Sequence, residues 1–421
     1  NIVGFDEYLE GKTAEIRGIQ VDPADPKRMM VEFAEAFCQV VTNFTTPLLP
    51  THVFGRFVGL DAADEIDRAA EHVDTPVTNG PFLFREWHKG DEIVLARNPD
   101  YWQGAPLLDE YVFKIASETT AVEQLPRGAV TLRQNVKLAS ISELEREEHL
   151  RVHRLPINNF TFIGWNTQSQ RVPGLRDRRV RQALAYGLDW RLAIERIWGG
   201  AGARQLAHHP SSHWVYPSGL NEYAYDVAKA EELLRSAGYT KDADGVFGRG
   251  EEKLAFSIAT NEGNKQREAL LQFAQDQYAR IGVRIAPRLM KFEELSNRLS
   301  TGAEDIDAFI LGWADVLPDP NYSRRLWHSS VIGAPGRPGD NVARYQDPRV
   351  DAALDRGRGP DCSTDARRSA YGELNRILNE EQPVNFGVSV LSFAVTSARL
   401  QGLDPGPYDF YKNVHRWWLA R

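Results

Sequence analysis

The sequence predicts an α/β fold of mixed sheets with helical crossovers, on three observations. Strand-like and helix-like patterns alternate between Leu254 and Pro320, two-residue alternation elsewhere marks an antiparallel hairpin, and glycines stand where helices must stop. Leu254, Phe256 and Ile258 read as a strand and Thr260 to Asn264 as a loop. Leu270, Phe273, Ala274, Gln277, Tyr278 and Ile281 then form one face of a helix stopped by Gly282. Val283 and Ile285 open a second strand, Phe292, Leu295 and Leu299 mark a helix stopped by Gly302, and Ile306 to Trp313 is a third strand. Strands joined by helices pair in parallel through right-handed crossovers, so the loops that follow them share one edge, where open α/β sheets hold ligands. Asn261 and the segment Ala314 to Pro320 are therefore predicted to lie together.

The other elements follow from the same periodicities. Phe82 and Phe84 alternate, His88-Lys89-Gly90-Asp91 is a turn, and Ile93 and Leu95 alternate again, which makes a β-hairpin. Asn98-Pro99 breaks it, and Tyr111, Phe113 and Ile115 give a further strand. Asn159 to Asn166 reads as a strand followed by the polar segment Thr167 to Arg171, where the chain is expected to cross between domains. Val180, Ala183, Leu184 and Leu188 have helical spacing. Asp189 caps a second helix lined by Leu192, Ala193 and Ile197, and Asp226 caps a third that ends at a left-handed Gly238. The first 75 residues carry proline-marked turns (Pro23, Pro26, Pro47, Pro50), a weak strand signal and no assignable core of their own.

At 421 residues the chain is too long for one core and is expected to hold two or three domains. A net charge of −8 disfavours nucleic acid and anionic membranes as partners. No apolar run approaches the ~18 residues of a membrane helix, and a start at Asn1 reads as a processed or trimmed end. Cys38 and Cys362 stand far apart without metal-ligand spacing, and whether they pair stays open. His208, His209 and His213 have no carboxylate or thiolate at fixed spacing, so no metal is expected; Gly199-Gly200-Ala201-Gly202 reads as a loop and Asp242-Ala243-Asp244-Gly245 as a turn. No nucleophile elbow, zinc-helix, phosphate-loop or dinucleotide motif occurs, so neither an enzyme nor a cofactor is predicted. Tryptophan offers a wide apolar face and one N–H donor, which singles out Trp165, Trp313 and Trp327. Trp313 leads because it ends a strand at the ligand edge.

Several segments together closely resemble family 5 extracellular solute-binding proteins, the peptide/nickel-type receptors of ABC importers. They are Val77 to Phe82, Trp87, and Ile93 to Trp102 (IVLARNPDYW); Val180 to Tyr186 (VRQALAY); Ala230 to Tyr239; and Gly312-Trp313 with Asp319-Pro320. The resemblance implies a two-lobe periplasmic-binding-protein-like fold (type II, cluster C-like). Residues 1–75 would be the remainder of a small subdomain, 76–172 lobe 1, 173–396 lobe 2 and 397–421 the return to lobe 1, with crossings near Asn166 to Pro173 and near Ser397. It also implies an extracytoplasmic receptor, periplasmic or a cell-surface lipoprotein, that delivers a peptide to a membrane permease. An oligosaccharide or other organic ligand, or a ligand-sensing regulator, are the alternatives. In the family a further segment precedes the part matched by residues 1–75, so the chain is expected to be a fragment. Taken together, the candidate ligand-binding residues are Gly312, Trp313, Ala314, Asp315, Asn261, Asn166 and Trp165. The family's acidic position falls on Val316, so Asp315, one residue early, can hold a ligand amine only if a bulge intervenes.

Overall fold

Strands Ala255–Asn261, Arg284–Met290 and Ala308–Trp313 run parallel, with Asn261 opposite Met290 and Ala259 opposite Phe309, as the alternation of elements predicts. These coordinates come from a computed structural model that describes the chain except residues 1, 6, 8–11, 14–15, 41–43, 45–48, 58–67, 70–73, 157–158, 303, 314–316 and 407. Helix Lys265–Arg280 starts at Asn264, whose side chain accepts from the Arg267 N–H at 3.1 Å. It stops before Gly282 at φ +73, a backbone state that costs a residue with a side chain about 1 kcal/mol or more. This helix sets Leu270, Ala274 and Tyr278 against Ile163, Trp165, Ile258 and Ile310 on one face of the sheet. Helix Phe292–Ser300 sets Leu295 and Leu299 against Phe160, Phe162 and Phe309 on the other. Alternation along each strand feeds the two cores in turn.

Strand Phe160–Trp165 pairs antiparallel with Ala308–Trp313, and on its far side with the long strand Val384–Ser397. That long strand serves two groups of partners. Residues 384–390 pair with Phe160–Trp165 and Gly202–Arg204, whereas 391–397 pair with Leu150–Pro156 and, near the end, Leu132–Arg133. Its strand partners change between residues 390 and 391, and those partners are drawn from either side of residues 157–159. Asn166 still closes the end of the sheet, its N–H donating to the Asp307 carbonyl at 2.8 Å.

Phe82–His88, Glu92–Arg97 and Glu110–Lys114 form the expected antiparallel sheet, turned at Gly90. Asp189 and Asp226 accept from the Leu192 and Lys229 N–H groups at 2.9 Å, as N-caps do. The structure adds a hairpin, Ile19–Asp22 with Asp25–Val31, that the sequence pattern did not indicate: nearly all its residues are exposed, so there was no buried face to print an alternation. Cys38 and Cys362 form a disulfide, which settles the open pairing and ties this first segment to the loop before helix Thr364–Glu381. Among the described residues no helix is long and apolar enough to cross a membrane.

Candidate functional site

The carboxyl ends of the parallel strands bring Asn261 and Gly312-Trp313 to one edge. From Asn261 the chain turns toward the face covered by helix Lys265–Arg280. After Trp313 it resumes on the opposite face, where Tyr322 and Trp327 pack. Adjacent strands whose continuations diverge in this way open a crevice between their ends.

One lip is aromatic. The half-buried Trp313 ring lies 4.2 Å from Phe162, centroid to centroid and tilted by 32°, with Trp327 at 5.2 Å and Phe160 and His208 each at 5.5 Å edge-on. Trp313 thus combines packing with a partly open face. Below it stand three contiguous imidazoles, His208, His209 and His213, all buried. The His209 Nδ1 lies 3.2 Å from Asn375 Oδ1 and the His213 Nε2 lies 3.3 Å from the Leu317 carbonyl. Burial pushes His209 down to about 3 and His213 down to about 4, and it holds His208 well below its ordinary range, so all three are neutral at neutral pH. Trp214 Nε1 donates to the Pro318 carbonyl at 3.2 Å, so the histidine segment also props the chain that follows the strand. Asp319 caps the turn Pro320–Ser323 and pairs with Arg367 at 2.8 Å, which gives the Asp-Pro element a structural role. Among the described residues no group of three or more His, Cys, Asp or Glu is placed to hold a metal ion.

The other lip carries a cation that sequence reasoning missed. Arg267 Nη1 donates to Asn261 Oδ1 at 2.7 Å, and its Nη2 would lie 3.0 Å from a Cβ at position 312, so Gly312 leaves room for the guanidinium to cross the strand. No carboxylate of the described residues pairs with Arg267, and burial lowers its pKa. Only the spacing from Asn264 to Arg267 was visible in the sequence, and that spacing is equally that of a solvated first turn.

Trp165 and Asn166 sit at the opposite edge. Trp313 is opposite Phe160 while Ala308 is opposite Trp165, so antiparallel pairing carries the end of that strand away from the crevice. Trp165 is fully buried against Tyr278 in the core. Asn166 is buried in a turn, its Nδ2 donating to the Ile306 carbonyl at 3.2 Å. Neither reaches the crevice that holds Asn261, Gly312 and Trp313. Ala314 and Asp315 lie outside the described residues, so the bulge required for Asp315 belongs to a segment on which the structure is silent.

A model of the bacterial extracellular solute-binding proteins, family 5, matches residues 9–334. The chain belongs to this family. It is 28% identical over 389 residues to the oligopeptide-binding protein AppA of Bacillus subtilis, covering 90% of this chain and 67% of that protein. It is 27% identical over 337 residues to heme-binding protein A of Haemophilus influenzae, covering 80% of this chain and 58% of the relative. The solved structure of the Bacillus subtilis AppA in complex with a nonapeptide superposes with a TM-score of 0.66 at 25% identity, over 96% of this chain and 79% of that one. The fold is thereby the mixed α/β, two-lobe fold of periplasmic binding proteins. The chain spans about three fifths to two thirds of the length of these two curated relatives.

Proposed function

We propose that this chain is the ligand-binding part of an extracytoplasmic receptor of an ABC importer. It holds a peptide in extended form across the crevice for delivery to the membrane permease. One observation supports this most: the ladder between Ala255–Asn261 and Ala308–Trp313 ends at Phe309 and the Thr260 hydroxyl donates to the Ile310 carbonyl at 2.9 Å, so among the described residues the backbone of Leu311 to Trp313 is paired only on the Phe160 side. An open strand edge takes up a peptide main chain by backbone pairing, whatever the peptide's side chains, and an adjacent half-open Trp313 gives those side chains an apolar wall. Reversible binding needs nothing more, so the chain acts by binding and not by turnover. The names of its relatives are those of binding proteins. A location outside the cytoplasm agrees with the Cys38–Cys362 disulfide, a bond favoured in oxidising compartments. Gly312 and Ala314 are proposed to pair with the ligand through their backbones, Trp313 and Asn261 to flank it, and Asp315 to hold its amine.

The test is native mass spectrometry of the purified protein, followed by denaturation and sequencing of what is released. Short peptides are expected. A carbohydrate, or a porphyrin with no peptide, would overturn the reading.

A further inference from the structure

We infer that the buried histidines beneath Trp313 form a proton-operated release device: as the medium turns mildly acid, protons entering the cluster unseat Trp313 and the chain beyond it, and the ligand leaves. The inference rests on the receptor reading above and adds a means of regulation to it.

The hydrogen bonds suit neutral imidazole at every ring. Asn375 Nδ2 donates to the Tyr371 carbonyl at 2.8 Å, which turns its Oδ1 toward the backbone N–H and Nδ1 of His209, both at 3.2 Å. His209 Nδ1 is therefore a donor. His213 donates from Nε2 to the Leu317 carbonyl at 3.3 Å and accepts at Nδ1 from the Val215 N–H at 3.4 Å, so a second proton on that ring would face an N–H. His208 has no described acceptor at either nitrogen and is enclosed by Phe160, Trp313, Tyr322 and Trp327. The charged groups around the cluster supply no partner for an added proton. Asp319, which favours a charge on His213, is held at 2.8 Å by Arg367, which opposes it. Arg324 and Arg368 on the neighbouring helices pair with Asp355 and Asp365, and burial keeps the Tyr322, Tyr371 and Tyr408 hydroxyls protonated. A buried charge without a partner is costly, so a ring that takes a proton must move toward water.

What these rings hold is the lip itself. His208 packs edge-on under Trp313, His213 carries the Leu317 carbonyl, and Trp214, stacked on His213, carries the Pro318 carbonyl at 3.2 Å. The core on the opposite face of the sheet contains none of them, so opening here is local. A histidine brought into water by opening favours the open form about 25-fold more at pH 5 than at pH 7.

The test is calorimetry with penta-alanine, whose terminal groups change charge little between pH 7 and pH 5. It would be run at both pH values on the wild type, His208→Phe and His213→Gln, each shown by its melting curve to be folded at pH 5. Hydrogen exchange of the ligand-free chains, corrected for the intrinsic effect of pH, would be followed over Leu317 to Ser323. Wild-type affinity should fall about 10-fold or more at pH 5, with exchange quickening in that stretch ahead of the rest of the chain, and both variants should lose part of each effect. Unchanged wild-type affinity would overturn the device and leave the receptor reading intact. An equal loss in all three chains would overturn the histidine assignment, and a loss that accompanies exchange throughout the chain would show general unfolding in place of local release. Binding at neither pH would count against the receptor reading alone; exchange then decides, and a stretch that quickens no more than the rest of the chain overturns the device.

Discussion

Acid should loosen this protein well before its carboxylates titrate, because of the three buried histidines under Trp313. In the unfolded chain a histidine takes up a proton below about pH 6.5. In the fold His209 is held at about 3 and His213 at about 4 by burial, and His208 is shifted in the same direction. The unfolded state therefore binds protons that the folded state refuses. Stability is undiminished above pH 6.5, declines as pH falls below it, and goes on declining until the folded values are reached. Each such histidine costs about 1.4 kcal/mol per pH unit, so at pH 5 His209 and His213 should together remove about 4 kcal/mol, with His208 adding to the loss. Asp307, whose pKa burial raises, works in the opposite sense and trims the effect. Neither ring nitrogen of His208 has a hydrogen-bond partner among the described residues, so His208→Phe keeps the ring contacts and removes one of the protons at issue. Unfolding free energies from urea titrations followed by tryptophan fluorescence should fall steeply between pH 7.5 and pH 5 for the wild type and less steeply for His208→Phe. A flat wild-type profile between those pH values, or the same slope in the variant, would refute the reasoning.

Trp313→Ala should weaken peptide binding by about 1 to 3 kcal/mol and, because the ring also packs on Phe162 and Trp327, lower stability by about 2 to 4 kcal/mol. Titration of the folded fraction separates the two, and unchanged affinity there would make Trp313 a core residue only. Asp319→Ala should cost about 3 kcal/mol or more by stranding Arg367 in a nearly buried pair, measured as a drop in unfolding free energy that Asp319→Ala with Arg367→Met largely restores. Cys38→Ser should release the first segment to limited proteolysis before the rest of the chain is cut, since the disulfide and the Cys38 N–H bond to the Arg358 carbonyl both fasten it there. Unaltered cleavage would mean that other contacts hold it.

Much of the parallel unit was legible because local chemistry and tertiary demand agree there: Asn264 caps, Gly282 and Gly302 stop, and the apolar faces of both helices match the two sides of one sheet. The direction of Phe160–Trp165 was not legible. A strand buried on both faces looks the same whichever way it runs, and its antiparallel placement sends Trp165 and Asn166 to the far edge. Val384–Ser397 hid the change of strand partners for a related reason, since apolar and small polar residues are mixed along its whole length and nothing marks where one neighbour gives way to another. Arg267 could not be told from any arginine on a helix until Gly312, 45 positions later, was seen to leave space for it. The Cys38–Cys362 bond joins residues 324 apart, a contact that only the assembled fold specifies.

The shared strand Val384–Ser397 also bears on how the molecule is made. It lies inside both groups of strands, with Phe160–Trp165 and Gly202–Arg204 along its first half and Leu150–Pro156 and Leu132–Arg133 along its second. A growing chain ordinarily lets its earlier domains fold while later ones are still being synthesised. Here neither group can take in its shared member until residues 384–397 have left the ribosome, so both groups wait for the same stretch and complete together. A ribosome-bound intermediate ending before residue 384 should consequently keep both sheets open, with apolar edges for a chaperone to hold.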